Sequence, residues 1–205
     1  LTGPIGCGKS TVAGWLAARG AVVVDADALT REVMVPRTAA FDAIVARFGP
    51  RMVGPDGSLD RSALGRIVFA DQAALRALEA IVHPAVRPLI EAAVAVAEGA
   101  GAAAVVIEAI KLVEAGYARE CDEVWLVTCP EIEQRARLRA RGATDGEVDQ
   151  RLTAQGDVRE RLGPAATRVI DTGGSAEEAE RRVDEAYRAA LHASRGSRAR
   201  NRRDS

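Results

Sequence analysis

Residues 3–10 read GPIGCGKS, and TVAGWLAAR follows directly at 11–19 as a helix-forming run with Val12, Trp15 and Leu16 on one face. The eight residues fit G-x-x-x-x-G-K-[ST]. A match at four fixed positions arises by chance in a chain of this length on the order of one percent of the time. The glycines let consecutive backbone N–H groups converge on phosphate oxygens with no Cβ in the way. The helix beginning near Lys9 adds its positive end. Lys9 can reach the β- and γ-phosphates of a nucleotide, and the Ser10 hydroxyl can ligate Mg²⁺. The stretch therefore reads as a P-loop for ATP and Mg²⁺, using Gly3, Gly6, Cys7, Gly8, Lys9, Ser10 and Thr11. Cys7 reads as a tolerated small side chain rather than a nucleophile. Pro4 has no N–H, so one phosphate donor is lost there.

Outward from this loop, strand-like and helix-like runs alternate. AVVVDAD at 21–27 is a β-branched run whose carboxyl end falls at Asp25–Asp27. GAGAAAVVIEAI at 99–110 holds a second strand with Glu108 near its end. DEVWLVTC at 122–129 holds a third and RVID at 168–171 a fourth. Helices are expected at 28–35, at 38–48, as a pair over 61–82, from Pro84 to about 98, at 131–141 before a polar stretch, and at 176–192. Such alternation implies a parallel sheet with right-handed crossovers, which the all-helical run at 31–98 interrupts. The expected fold class is α/β: a P-loop NTPase-type parallel sheet flanked by helices, with an all-helical substrate-binding insertion and a lid. The core is expected at 1–30 and 99–205, the insertion at 31–98 and the lid at about 137–165. A P-loop follows a strand, and only Leu1 and Thr2 precede Gly3, so a first strand is expected upstream of Leu1. The arginine-rich tail at 194–205 is expected to be disordered.

Composition narrows the alternatives. Apolar residues make up 48% of the 205-residue chain and aromatics only 3%, so the core must be built from Val, Leu, Ile and Ala. A net charge of −1 provides no global field towards nucleic acid or a membrane surface, and neither is expected as a partner. No apolar run approaches 18 residues without charges, and no signal peptide is visible. Cys7, Cys121 and Cys129 are odd in number and lack metal-ligand spacing. Read as free thiols, they suit a reducing compartment, so a cytoplasmic location is expected.

Side chains at strand ends and on one helix are the remaining candidates. In open α/β sheets, ligands bind beyond the carboxyl ends of the strands, where Asp25 and Asp27 would share one side of the strand. Asp27 is a candidate acceptor for the proton of an attacking hydroxyl; its other reading is an N-cap of the next helix. Glu108 ends an apolar run and can face Mg²⁺ with Ser10. Arg135, Arg137, Arg139 and Arg141 crowd one helix, and Arg137 and Arg141, four apart, share a face. Guanidinium groups there can stabilise charge on a moving phosphoryl group. His83 reads either as a structural histidine or as a substrate contact, and His192 as a surface residue.

These residues resemble the dephospho-CoA kinase family from Leu1 to about residue 190. The resemblance is carried by LTGPIGCGKST, by DADALTREV at 25–33, by GSLDRSALGRIVFAD at 57–71 and by LEAIVHPAVR at 78–87. It continues through IKLVEAGYARECDEVWLV at 110–127, the Arg137/Arg141 pair, AQ at 154–155 and RVIDTGGS at 168–175. It implies that ATP and Mg²⁺ bind at the loop and that dephospho-CoA is the acceptor. It also implies that Asp27 is the general base for the ribose 3′-hydroxyl, that the helical insertion carries substrate-side surface, and that the arginine helix closes as a lid. Arg31, His83 and Glu114 become substrate-side candidates by the same resemblance. There are departures: Ile110–Glu114 keeps only Leu112 and Glu114 of the usual P-L-L-x-E, and Asp171-Thr172 stands where Asp-Asn or Asn-Asn is common.

Two other readings compete. Another small-molecule P-loop kinase, shikimate- or nucleotide-kinase-like, also has an Asp-x-Asp strand end; against it, the chain lacks an F-R-x-x-E segment and a glycine triplet after the second strand. A non-catalytic ATP-binding module would bind ATP without turnover.

Overall fold

A computed structural model describes the backbone of residues 1–201 and the side chains of residues 1–194. The chain divides into two compact units, Leu1–Val24 with Ala97–Ser205, and Asp25–Val96.

The first unit is an α/β layer. It contains α1 (Lys9–Ala18), most of β1 (Val22–Asp25), β2 (Val105–Glu108), β3 (Trp125–Thr128), α6 (Glu131–Ala140), α7 (Asp145–Gln155), α8 (Val158–Leu162), β4 (Arg168–Asp171) and α9 (Ala176–Asn201). Strand β1 pairs with β2. β3 lies parallel to β4, in a register that sets Trp125 against Arg168 and Thr128 against Asp171. Between these pairs lie the two residues ahead of the glycine-rich loop. The Leu1 nitrogen donates to the Ile107 carbonyl at 2.7 Å, and the Ala109 N–H donates to the Leu1 carbonyl at 3.1 Å. The Thr2 N–H donates to Trp125 at 2.9 Å, and the Val127 N–H donates to Thr2 at 2.8 Å. The order across the layer is therefore β1, β2, Leu1–Thr2, β3, β4.

All four residues of β3 are buried, as expected of a strand covered on both faces. Trp125, Val127 and Ile170 pack with Cys7, Val12 and Leu16 from the loop and α1, and with Val183 and Tyr187 from α9. Arg19, at the end of α1, is tied to α9 through Asp184 at 2.9 Å and Glu180 at 3.0 Å. Ahead of β3, Glu123 accepts two bonds from Arg168, at 2.9 and 3.1 Å, the bidentate geometry that makes such pairs specific.

The second unit is helical apart from one antiparallel bridge, Val53 to Leu59, around the Gly54–Ser58 turn. Its helices are α2 (Ala26–Val33), α3 (Ala39–Phe48), α4 (Arg61–Ala70) and α5 (Gln72–Gly99), whose last residues run into the first unit. Asp25, Thr38 and Asp60 cap α2, α3 and α4 by accepting from Ala28, Phe41 and Ala63.

Several boundaries differ from the sequence reading. Asp27 was expected in a strand, but β1 stops at Asp25, whose carboxylate caps α2 and so places Asp27 in that helix's first turn. The break expected at Pro84 is absent: α5 runs through Pro84 and Pro88. Each proline removes one helical bond, but Val82, Val86 and Ile90 are buried at a spacing of four on either side, and that packed stripe holds the helix together. α5 is also long and apolar enough to cross a membrane by length and composition alone; its buried stripe is the pattern of a helix packed on protein. The polar stretch expected after 141 contains α7, started by a Thr144–Glu147 capping box, and α8. Rich in Ala, Glu and Arg, α9 continues to Asn201 rather than ending near 192. Of the tail expected to be disordered at 194–205, residues 202–205 lie outside the described residues.

Candidate functional site

The glycine-rich loop leaves the sheet at Gly3, whose φ is 148°. A Cβ there would sit 2.2 Å from the Val127 carbonyl oxygen, so the loop starts flush against β3 and only glycine fits. Gly6 and Gly8 hold φ of 80° and 83°, the left-handed conformation that successive N–H groups need to form an anion-binding concavity. Gly8 is the N-cap of α1, and no side chain caps that helix. Its first-turn N–H groups thus have no side-chain competitor for an anion.

Lys9 is 8% exposed, and its Nζ donates to the carbonyls of Gly3 at 3.0 Å and Pro4 at 3.1 Å. The loop thereby solvates its own lysine. Next to it the Ser10 hydroxyl donates to Glu108 Oε1 at 2.8 Å, and Glu108 at the end of β2 is 8% exposed. Among the described residues no group of three or more His, Cys, Asp or Glu side chains converges. Mg²⁺ needs none, since it keeps waters and phosphate ligands and takes only one or two protein oxygens. The hard oxygens of Ser10 and Glu108 fit that requirement. Thr11, in the first turn of α1, is exposed.

Two glutamines brace the loop, and neither was named as a site residue from sequence. Gln134 Nε2 donates to the Ile5 carbonyl at 2.6 Å, and the Ile5 N–H donates to Gln155 Oε1 at 3.2 Å. Gln134 projects from α6 and Gln155 ends α7, so both helices hold one loop residue. The clue was present: Gln134 lies three residues before Arg137, on one helical face, and Gln155 belongs to the AQ segment.

Thr172 was also missed as a contact. Its hydroxyl lies 2.8 Å from the Cys7 carbonyl and 3.1 Å from that of Thr128, and it accepts from Arg137 Nη1 at 3.0 Å. Arg137 Nη2 reaches the Thr172 carbonyl at 2.7 Å and Glu133 at 2.8 Å. The residue noted only for replacing asparagine thus ties the loop, the end of β4 and a candidate arginine into one network.

The cysteine reading is corrected. Cys7 and Cys129 form a disulfide across 122 residues of sequence, and Cys121 alone of the three is free. The Cys7 side chain is buried in the core, and Cys129, the residue after β3, packs against the same cluster. Sequence separation hid this pairing, because only the parallel sheet brings the two positions together.

The other candidates are distributed as follows. Arg141 is the exposed C-cap of α6, one turn after the partly buried Arg137. Glu114, in the turn after β2, pairs with Arg161 of α8 at 3.3 Å. In the helical unit, Arg31 lies 3.8 Å from Asp25, Asp27 is half-buried, and His83 is half-buried in the middle of α5.

A family model described as dephospho-CoA kinase matches residues 1–178. Over 191 residues the chain is 48% identical to a dephospho-CoA kinase of Symbiobacterium thermophilum, covering 93% of this chain and 80% of that one. A dephospho-CoA kinase of Geobacter sulfurreducens is 46% identical over 188 residues, 91% of this chain and 95% of its own. Among solved structures, TT1252 from Thermus thermophilus superposes with a TM-score of 0.79 at 37% identity, covering 93% and 95% of the two chains. A dephospho-CoA kinase from Campylobacter jejuni, at 22% identity, shares the fold with a TM-score of 0.67 over 94% and 96%.

Proposed function

The chain belongs to the dephospho-CoA kinase family, and from that premise we infer that it transfers the terminal phosphoryl group of ATP to the ribose 3′-hydroxyl of dephospho-CoA, giving coenzyme A and ADP. The observation that carries this reading in the structure is the Lys9, Ser10 and Glu108 cluster on a loop with two left-handed glycines. Family membership favours this acceptor over shikimate or a nucleotide, and favours turnover over mere ATP binding.

The fold is read here as P-loop NTPase type, with the helical run 31–98 as the substrate-binding insertion and residues 137–165 as a lid. The bond from Gln155 to Ile5 supports the lid reading, since it already links α7 to the nucleotide loop. ATP phosphates bind at Gly3 and along Gly6–Thr11, where the N–H groups of the loop and α1 face them. Lys9 exchanges the Gly3 and Pro4 carbonyls for phosphate oxygens. Ser10 and Glu108 hold Mg²⁺, which when bound neutralises phosphate charge. Asp27 accepts the proton of the 3′-hydroxyl, and its position just past β1 supports that role. Arg137 and Arg141 stabilise the charge that spreads over the moving phosphoryl oxygens. Arg31, His83 and Glu114 are the substrate-side residues, and a cytoplasmic location is part of the proposal. Lid closure would exclude water and so suppress ATP hydrolysis.

A coupled ADP-release assay with dephospho-CoA, shikimate and a nucleoside monophosphate tests the reading. Turnover with dephospho-CoA alone, abolished in Lys9→Ala, is the expected result. Turnover with another acceptor, or ATP binding without turnover, would overturn it.

A further inference from the structure

We propose that Cys7 and Cys129 form a thiol–disulfide exchange site for low-molecular-weight disulfides, and that its oxidation stiffens the nucleotide loop. The proposal rests on the reading of residues 3–10 as the ATP loop. Cys7 lies between the left-handed Gly6 and Gly8, yet its side chain is 0% exposed and belongs to the buried cluster that contains Trp125, Val127 and Ile170. Its bond to Cys129 pins the loop from beneath to the end of β3.

Burial fixes the order of events. A disulfide RSSR cannot reach Cys7, whereas Cys129 is partly exposed. The Cys129 thiolate attacks RSSR, forming Cys129–S–S–R and breaking the R–S–S–R bond; the first RS⁻ leaves and takes up the proton that Cys129 released. Cys7, losing its own proton, then attacks the Cys129 sulfur. The Cys7–Cys129 bond forms, the mixed disulfide breaks, and the second RS⁻ leaves as RSH. Two protein thiols are oxidised by two electrons and one RSSR is reduced to two RSH. A thiol reverses the sequence.

Only residues 4–8 separate the flush contact at Gly3 from the helix at Lys9, and the disulfide fixes one of these five, Cys7. Binding to a pre-ordered span costs less conformational freedom, so the oxidised protein should bind ATP more tightly than the reduced one.

The test uses the full chain carrying Cys121→Ser, so that the third thiol does not confuse the count. Reduced protein is treated with glutathione disulfide and followed by intact mass, and ATP affinity is measured by calorimetry in both states. The expected results are loss of two thiols with no retained glutathione, and at least about threefold tighter ATP binding when oxidised. In Cys7→Ser a single glutathione should remain trapped on Cys129, while Cys129→Ser should stay unmodified at Cys7. Two unreacted thiols, glutathione retained on Cys7, or equal ATP affinity in both states would overturn the proposal. If neither state binds ATP, the ATP-loop reading fails along with the affinity claim, and the mass result alone decides the exchange site.

Discussion

Replacing Thr172 with valine keeps its volume and removes one hydroxyl from the network beneath the nucleotide loop. The hydroxyl accepts from Arg137 Nη1 at 3.0 Å and lies 2.8 Å from the Cys7 carbonyl, and the residue is 5% exposed. A hydrogen bond to a charged group contributes about 1.5–3 kcal/mol, and a neutral one about 1 kcal/mol. Arg137 keeps its bonds to the Thr172 carbonyl and to Glu133, which places the charged contribution at the low end. The sum is about 2–3 kcal/mol, or a fall in Tm of about 5–10 °C for a chain of this size. Because the lost bond also steadies Cys7, KM for ATP should rise by about tenfold with a smaller change in kcat. Urea unfolding and steady-state kinetics measure both quantities, with Thr172→Ser as the control that restores the hydroxyl. A Thr172→Val protein within about 0.5 kcal/mol of the parent, or a Thr172→Ser protein as weak as the valine variant, would refute the network.

Gly3→Ala places a Cβ 2.2 Å from the Val127 oxygen, so it should lose about 3 kcal/mol or more, or fail to accumulate as folded protein; thermal melts and soluble yield check this. Asp27→Asn should lower kcat by about 10²–10⁴-fold, measured by the coupled ADP-release assay, while the cap of α2 by Asp25 is kept. Glu123 is held below its ordinary carboxylate value, chiefly by its bonds from Arg168. A depressed acid contributes stability that is full above its unfolded value, near 4.5, and is lost as pH falls through the folded value. Between about pH 6 and 3, Tm should therefore fall more steeply in the parent than in Glu123→Gln, whose acid limb should be flatter.

Much of the fold was legible because the sequence carried local signals that the tertiary structure left intact. The loop glycines and the β-branched runs at 22–24, 105–107 and 169–170 all act over a few residues. The errors arise where distant packing outweighs a local rule. Pro84 would end an isolated helix, but the buried stripe of Val82, Val86 and Ile90 carries α5 through it. The cap of the next helix was read as the alternative role of Asp27, yet Asp25 takes it. At the candidate site, Lys9, Ser10 and Glu108 were readable from motif and strand end. Gln134, Gln155, Thr172 and Cys129 were not, since each acts on the loop from an element far along the chain, and only the sheet order brings them near.

Leu1 and Thr2 are hydrogen-bonded to β2 on one side and β3 on the other, and α1 begins at Lys9. The loop is thus a short bridge with both piers set in the core, and its free length is residues 4–8. A bridge that short has few ways to sag. A strain placed on the span is thus shared with β2 and β3 through the hydrogen bonds of Leu1 and Thr2.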